Sequence, residues 1–235
     1  MRSDDVPEIR ELTLFRALAD DAFETLIRGA YLQTFPPTVE LIREGDSPDF
    51  LHVLVEGGVE LFSGWHRRET TLSMLAPVST FILAATITDR PYLMSARTVS
   101  KSRVALIPSE DVRTVFDADR DFANAIVNEL ADCFRASIKH AKNVKLRSSV
   151  ERLANYLLCE VAAQGGGSEE GQITLPYEKR LIASWLGMTP ENLSRAFGSL
   201  RPYGVKVEGA LVHLSDMSSL RRLAKPTPLI DDPAS

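Results

Sequence analysis

The spacing of apolar residues in this 235-residue chain changes near residue 108 from that of strands to that of helices. Between about residues 33 and 108, short apolar segments, including 81–86, are separated by turn sequences such as Gly45-Asp46-Ser47-Pro48 and Gly57-Gly58. Many short strands with turns between them predict a roll or a barrel. After residue 108, apolar residues recur every three or four positions, which indicates helices. The sequence therefore predicts an α+β protein with an N-terminal β-roll and a helical C-terminal part.

The longest helical pattern covers about residues 119–147. Its apolar stripe repeats at spacings of three or four and consists mostly of small residues, namely Ala123, Ile126, Leu130, Cys133, Ser137, Ala141 and Val144. This spacing is close to a heptad seam, and a long helix with such a stripe usually packs against a partner helix. We therefore expect a homodimer, with packing of the helix on its own domain as the alternative. The expected interface residues are Ile126, Leu130, Cys133, Ser137 and Ala141.

Charge is distributed unevenly along the chain, which has a net charge of −5. Residues 1–138 carry 14 Lys and Arg against 22 Asp and Glu, whereas residues 139–225 carry 13 against 8. Because phosphate binding requires clustered basic side chains, only the C-terminal part suits a nucleic acid. The asymmetry indicates two domains with different partners.

Simple features exclude several classes of protein. No apolar stretch approaches the roughly 18 to 20 residues that span a bilayer, and the first five residues do not resemble the start of a signal peptide. The two cysteines, Cys133 and Cys159, are too few for a disulfide framework or for a four-cysteine zinc or iron–sulfur site. We therefore expect a cytoplasmic protein with reduced thiols and no membrane partner.

Residues 176–200 have the pattern of two helices joined by a tight turn. The first helix is predicted to begin after Pro176 and to end at Gly187, a residue type favoured just past helix ends. Thr189 then provides an N-cap and Pro190 occupies the first helical position of the second helix. This is the order of a helix-turn-helix motif, whose second helix enters the major groove of DNA.

The outward face of the second helix has side chains that suit base edges. Arg195 can donate two hydrogen bonds to guanine, Glu191 can accept one from cytosine, and Ser194 can bond in either direction. The alternative is a solvated face with an ordinary Glu191–Arg195 ion pair. Two short strands, predicted at residues 205–207 and 211–214, follow as a wing and favour DNA binding. The expected DNA contacts are Thr189, Glu191, Asn192, Ser194 and Arg195, together with Lys179, Arg180, Arg201, Lys206 and His213.

Apolar residues at helical spacing also predict short amphipathic helices over about residues 9–31. The order of these helices, a β-roll, a long helix and a winged helix-turn-helix resembles the CRP/FNR superfamily of bacterial transcription regulators. Residues 50–62 are similar to the glycine-turn hairpin of its roll, and residues 186–195 match the Glu-x-x-Ser-Arg recognition helix of its FNR-like branch. Pro190 stands where the catabolite-activator branch has a base-reading Arg, which also favours the FNR-like type. The resemblance implies a homodimer on a palindrome with TTGA-like half-sites, and contact with RNA polymerase if the protein is an activator.

The resemblance also implies a division of the chain into functional parts. The expected parts are a cyclic-nucleotide-binding-like β-roll that binds the effector (1–118), a dimerisation helix (119–147), a winged helix-turn-helix DNA-binding domain (148–225) and a tail (226–235).

Two departures from the family concern the signal that the roll would sense. Cyclic-nucleotide binders of this family have a Gly-Glu-Leu turn and an Arg-Ser/Thr-Ala triplet, where this chain has Leu83-Ala84-Ala85 and Met94-Ser95-Ala96. Loss of the Arg removes a charge-assisted pair with the phosphate, which argues against cyclic AMP. No cysteine precedes Cys133, which argues against the FNR iron–sulfur cluster.

With cyclic AMP and an iron–sulfur cluster disfavoured, we expect an apolar pocket in the roll that binds a small molecule or a gas. Residues 89–98 are similar to a segment of haem-dependent, gas-sensing members, so haem-mediated sensing of nitric oxide or a related gas is a hypothesis, and the cofactor itself stays unassigned. A haem needs an axial ligand. The pocket candidates are Phe81, Leu83, Tyr92, Met94 and Ser95, and the candidate ligands are His52, His66 and His140.

Two further functions are alternatives to DNA binding. One is a ligand-sensing module that regulates a protein partner through its C-terminal domain. The other is an enzyme on a cupin-like roll, but the four His residues form no His-x-His pair, and neither a nucleophile–base set nor a phosphate-binding glycine loop is present. We therefore do not expect an enzyme.

Overall fold

The computed structural model describes residues 6–16, 18–66, 68–165 and 170–232. The chain divides into two compact units, residues 1–134 and residues 135–235. This division falls inside the longest helix, Arg120–Leu146, whereas the sequence pattern placed domain boundaries at both ends of that helix. Strands dominate before residue 108 and helices after it, which confirms the predicted α+β class.

The N-terminal unit begins with short helices, continues with the strands of the roll and ends in the long helix. Its elements are α1 (Val6–Arg10), α2 (Thr13–Arg16), α3 (Asp20–Arg28), β1 (Tyr31–Phe35), β2 (Glu40–Ile42), β3 (Phe50–Glu56), β4 (Val59–Trp65), β5 (Arg68–Leu75), β6 (Ser79–Phe81), α4 (Leu83–Thr88), β7 (Ser95–Thr98), β8 (Ser102–Pro108), α5 (Ser109–Ala118) and the first part of α6 (Arg120–Leu146).

The strands form two antiparallel four-stranded sheets, in the orders β1-β8-β3-β6 and β2-β7-β4-β5. Successive residues of a strand point to opposite faces, and β3 illustrates the consequence. Its residues Leu51, Val53 and Val55 pack with the helices, in a core that also contains residues of α6. Leu54 points the other way and packs between the sheets with residues of β4, β7 and β8. The roll therefore has one core under its helices and a second core inside it.

The predicted strand at residues 81–86 is wrong, because Leu83–Thr88 forms helix α4. Leu83 and Thr86, one helical turn apart, are both buried, whereas Ala84 is exposed. The guanidinium of Arg113 donates to the carbonyl of Thr86 at 3.0 Å and so satisfies one carbonyl near the helix end. A six-residue apolar segment has too few residues for periodicity to distinguish a helix from a strand.

The C-terminal unit is mainly helical around a small sheet. After the end of α6 its elements are α7 (Ser149–Ala163), β9 (Gly171–Thr174), α8 (Lys179–Trp185), α9 (Pro190–Leu200), a 3-10 turn (Arg201–Tyr203), β10 (Val205–Glu208), β11 (Leu211–Leu214), α10 (Met217–Ala224) and α11 (Pro228–Asp231).

Two strands of the small sheet are the expected wing, and the third was not anticipated. β10 pairs with β11, and β11 also pairs with β9. Apolar residues from α7, α8, α9, α10 and the sheet share one core beneath them. Because β9 is only four residues long and follows the three glycines Gly165-Gly166-Gly167 by a few positions, sequence spacing gave no sign of it.

Helix α7 begins with a capping box that fixes the turn after α6. The hydroxyl of Ser148 accepts from the amide of Glu151 at 3.3 Å, and the Glu151 carboxylate accepts from the amide of Ser148 at 2.9 Å. Such reciprocal bonds satisfy two amides that have no partner inside the helix.

Within the described part of the chain, no helix is both long enough and apolar enough to cross a membrane.

Candidate nucleic-acid interface and effector region

The turn between α8 and α9 has the hydrogen bonds of a Schellman motif. The amide of Gly187 donates to the carbonyl of Ser184, and the amide of Met188 donates to that of Ala183, both at 2.9 Å. Gly187 has a φ of +64°, a conformation that residues with a Cβ adopt only under strain. The glycine therefore ends α8 and turns the chain directly into α9.

The start of α9 confirms the predicted cap. The hydroxyl of Thr189 accepts from the amide of Asn192, and Pro190 occupies the first turn. Burial alternates along α9 at helical spacing. Leu193, Phe197 and other inner residues belong to the core of the C-terminal unit.

The expected base-reading residues all lie on the outer face of α9. Glu191, Asn192, Ser194 and Arg195 are exposed, and Arg195 contacts the side-chain oxygen of Asn192 at 3.5 Å. The hydrogen bond to the Thr189 side chain is the main cause that lowers the pKa of Glu191. Glu191 is therefore ionised at neutral pH and is a hydrogen-bond acceptor.

A cleft of about 700 Å³ lies between α9 and the wing strand β10. Lys179, Arg201 and Lys206 line it together with Ser194, which belongs to the reading face. All three basic side chains are exposed, and Lys206 forms an ion pair with Glu208 at 2.6 Å. The structure thus places basic groups beside the polar face of α9.

Two expected phosphate contacts do not line this cleft. Arg180 is exposed next to Lys179 on α8. His213 is half-buried on β11, directly opposite Lys206 of β10.

Sequence reasoning missed Arg152, which connects the end of α6 to the helix-turn-helix. Its buried guanidinium donates to the carbonyls of Val144 at 3.1 Å, Arg147 at 2.7 Å and Gly187 at 3.3 Å. Val144 lies in the last turn of α6 and Arg147 directly follows that helix, at an end where carbonyls have no partner inside the helix. The available signal was a lone Arg within an otherwise apolar helix face.

The structure brings together only some of the expected effector residues. Phe81 and Tyr92 are buried in the core between the sheets, and Met94 packs against it. Leu83 instead belongs to the core under the helices. The hydroxyl of Ser95 accepts from the amide of Glu44 at 3.0 Å.

Arg97 of β7 is the basic residue closest in sequence to Met94, which stands in place of the phosphate-binding Arg, and its guanidinium is already paired. It donates to Glu60 at 2.7 Å and to Glu69 at 3.0 Å, and its guanidinium lies 4.1 Å from the centre of the Phe62 ring. Glu60 is almost fully buried and also accepts from Thr71. The two carboxylates therefore already accept the hydrogen bonds that the Arg97 guanidinium could otherwise donate to an anionic ligand.

Of the three candidate haem ligands, only His52 lies inside the roll. His52 lies on β3, opposite Leu106 of β8 on one side and Phe81 of β6 on the other. Its ring centre is 5.2 Å from that of Phe81. Nδ1 donates to the carbonyl of Phe50 at 3.0 Å. Burial lowers the pKa of His52 to about 4 despite that bond. The imidazole is therefore neutral at pH 7, with a lone pair on Nε2.

The other two candidates lie elsewhere. His66 is exposed in the turn after β4, edge-on to Trp65. His140 is half-buried on α6 in the C-terminal unit, where burial and the charge of Arg152 lower its pKa. No group of three or more His, Cys, Asp or Glu among the described residues could hold a metal ion.

The expected dimer stripe on α6 divides into two kinds of position. Ile126 is fully buried in the core of its own unit, so the assignment of Ile126 to a partner interface is corrected. Leu130 packs partly against the same core. Cys133 and Ser137 are exposed, and Ala141 is half-buried.

The large apolar residues that α6 exposes were not in the expected stripe. Val127, Phe134, Ile138 and Leu146 are exposed, and Phe134 has 66% of its surface accessible. Sequence reasoning missed them because their spacing is as regular as that of the buried residues.

Family models match both units of the chain. A cyclic nucleotide-binding domain matches residues 32–119, and a Crp-like helix-turn-helix domain matches residues 151–223. The CRP-like cAMP-activated global transcriptional regulator of Mycobacterium tuberculosis is 24% identical over 218 residues, which are 90% of this chain and 96% of the relative.

Solved structures share the fold. FixK2 from Bradyrhizobium japonicum is 20% identical with a TM-score of 0.71, covering 84% of this chain and 98% of its own. A CRP-family transcriptional regulator from Thermus thermophilus is 20% identical with a TM-score of 0.66, covering 83% of this chain and 97% of its own.

Proposed function

The chain belongs to the CRP/FNR family of transcription regulators, and from this premise we propose that it is a homodimer that binds a palindromic DNA site under the control of a small effector in its roll. The observation that carries the proposal is the polar face of α9, presented by a capped helix beside a basic cleft. If the protein is an activator, RNA polymerase is a further partner.

DNA reading is assigned to three residues of α9. Arg195 would donate to guanine, the ionised Glu191 would accept from cytosine, and Ser194 would bond in either direction. Each good bidentate contact discriminates against a wrong base by about 1–3 kcal/mol. Phosphate contacts are assigned to Lys179, Arg180, Arg201, Lys206 and His213, with Thr189 and Asn192 at the start of the helix. The match of α9 to the Glu-x-x-Ser-Arg pattern of FNR-like regulators is what implies a TTGA-like half-site.

Dimerisation is assigned to the exposed apolar face of α6. Regulators of this family bind DNA and commonly dimerise. Val127, Phe134 and Ile138 follow one another at spacings of seven and four, which fits a coiled-coil seam. The large apolar surface that these three residues expose supports their assignment to the dimer interface. Leu130, Cys133, Ser137 and Ala141 are proposed to flank them there.

The effector is proposed to be small and to lack a phosphate. Met94 replaces the family's phosphate-binding Arg, and Arg97 is paired with two carboxylates. An anion would have to displace one of them, which costs its charge-assisted hydrogen bonds. For control of DNA binding, the effector must bind one conformation of the protein more tightly than another.

Haem is the more specific hypothesis for this effector, and His52 is the residue that would hold its iron. A neutral imidazole whose Nδ1–H bonds a backbone carbonyl is a common arrangement of a metal-binding His. Bound haem would supply the gas-binding iron. Phe81, whose ring centre is 5.2 Å from that of His52, would provide an apolar contact for the macrocycle.

DNA binding is tested by fluorescence anisotropy with a TTGA palindrome and a scrambled duplex of equal length. We expect the palindrome to bind at least 100-fold more tightly, and Arg195→Ala to remove most of that difference. Arg43→Ala changes an exposed Arg in the N-terminal unit and serves as the matched control. Equal binding of both duplexes, unaffected by Arg195→Ala, would instead favour a module that regulates a protein partner.

The effector is tested separately by titration with haem and with cyclic AMP. If His52 binds haem, a stoichiometric Soret shift appears that His52→Phe removes and His66→Phe leaves intact. Absence of a Soret shift at stoichiometric haem rejects the haem hypothesis. Calorimetric binding of cyclic AMP at micromolar concentration would contradict the proposal of a phosphate-free effector.

A further inference from the structure

The segment after α10 is attached to the end of α6 by an almost buried ion pair. The two terminal nitrogens of the Arg147 guanidinium, Nη1 and Nη2, donate to the two carboxylate oxygens of Asp231 at 2.6 Å each, and the two side chains are only 8% and 15% exposed. The helix-turn-helix family match ends at residue 223 and does not include this segment.

Three further bonds fix the segment and its anchor. The Asp231 carboxylate accepts from the amide of Thr227 at 2.7 Å, and Arg147 also donates to Asn143 at 3.1 Å. Lys139 donates to the carbonyl of Asp232 at 2.7 Å. Burial on its own raises the pKa of Asp231, but the bonds from Arg147 and Thr227 outweigh it and lower that pKa. Asp231 is therefore ionised at neutral pH.

Arg147 occupies the joint between two helices. It follows the last residue of α6 and precedes Ser148, the N-cap of α7. Its carbonyl accepts from Arg152, and Arg152 also donates to Gly187 in the turn that precedes α9. A continuous set of bonds thus runs from the C-terminal segment through the joint to the helix-turn-helix.

We propose that residues 227–232 form a C-terminal strap that fixes the joint between α6 and α7 and thereby positions the helix-turn-helix for DNA binding, with Asp231 and Arg147 as its positioning residues. Neither residue contacts DNA in this proposal, which rests on the proposed DNA-binding function. An ion pair suits the role because a bidentate Arg–carboxylate pair is geometrically specific. Its loss leaves a charge in a mostly buried place, so the segment detaches.

The strap is tested with Asp231→Asn, with the charge-exchanged pair Arg147→Glu plus Asp231→Arg, and with Leu229→Ser as control. Leu229 lies in the same short helix with an exposed side chain. Hydrogen exchange of the 235-residue protein without DNA measures how well the backbone amides at the joint are protected. We expect Asp231→Asn to accelerate exchange about tenfold in peptides covering residues 140–152 and 183–189, and Leu229→Ser to leave it unchanged.

Affinity for the palindrome is measured on the same proteins, with helical content checked by circular dichroism. We expect Asp231→Asn to weaken binding at least fivefold without loss of helix, and the exchanged pair to restore part of both the affinity and the protection. This rescue separates positioning from a general loss of stability.

The outcomes distinguish the strap from the proposed function. Unchanged exchange in Asp231→Asn overturns the strap, and accelerated exchange with unchanged affinity overturns its positioning role. If Asp231→Asn does not fold, the charge-exchanged double variant decides. Wild-type protection from hydrogen exchange in that folded variant supports the role of the ion pair, and loss of protection overturns it. If the wild-type protein ignores DNA sequence, the proposed function fails, while the exchange data still test the strap.

Discussion

Glu60 is an almost fully buried carboxylate that forms an ion pair with Arg97. Arg97 and Thr71 donate to its two oxygens. Removal of one partner from a buried pair leaves an uncompensated charge and costs about 3–5 kcal/mol, whereas replacement of both partners costs much less. This asymmetry makes the pair a sharp test of the structure inside the roll.

We expect Arg97→Met to lower the free energy of unfolding by about 3 kcal/mol. Glu60→Gln combined with Arg97→Met should recover most of that loss, because no charge is then left buried. Urea denaturation followed by circular dichroism measures both variants. A double variant that is as unstable as Arg97→Met would show that the side chains matter for packing and not for charge.

His52 links the stability of the roll to pH. Its pKa is about 4 in the folded protein and about 6.5 when unfolded. Between these values the unfolded state binds a proton that the folded state does not, so stability falls as the pH falls. Each pH unit contributes about 1.4 kcal/mol, or about 2 kcal/mol between pH 6.5 and 5.

His52→Gln isolates this contribution, because the other titrating groups are common to both proteins. From pH 6.5 to 5, wild type should lose about 2 kcal/mol more unfolding free energy than His52→Gln. Parallel stability curves for the two proteins would mean that His52 is solvated or charged in the folded state.

At the scale of elements, local signals determined what the sequence could predict. The start of α9 was predicted correctly because the Thr189 hydroxyl and the Pro190 ring act within one helical turn. Helix α4 was mistaken for a strand because its apolar residues are too few to show a period. Arg152 and the Arg147–Asp231 pair were not anticipated, since their partners lie 5 to 84 positions away in sequence.

Helix α6 shows why a regular apolar stripe does not identify its partner. Ile126 and Phe134 lie eight positions apart, close to two helical turns, and both are apolar. Only the folded chain shows that the first is buried in its own core and the second is exposed. Periodicity predicted the helix, but it could not distinguish the protein's own core from a surface for another copy.

Phe134→Asp should therefore dissociate the proposed dimer, because it would bury a charge in an apolar seam. We expect a mainly monomeric protein in sedimentation velocity at micromolar concentration, with the fold retained because the side chain is exposed in the monomer. Phe134→Leu is the conservative control. A Phe134→Asp protein that remains dimeric would place the interface on another surface.

At the scale of the whole molecule, the charge of −5 combines an acidic N-terminal part and a basic C-terminal part. The salt dependence of DNA binding reports only the phosphate contacts, because each contact releases counterions from the DNA. On duplex DNA the slope of log K against log salt changes by about 0.9 for each contact. The slope therefore counts contacts, and in a symmetric dimer each residue is counted twice.

Lys179→Gln removes one exposed cation that lines the cleft beside α9. If a dimer binds the palindrome, the slope should fall in magnitude by about 1.8, twice the value for one contact. The same substitution in a protein that binds as a monomer should change it by about 0.9. Lys101→Gln removes an exposed cation of the acidic part and should leave the slope unchanged. Anisotropy titrations at about ten salt concentrations from roughly 50 to 300 mM resolve these values, and an unchanged slope for Lys179→Gln would remove this residue from the DNA interface.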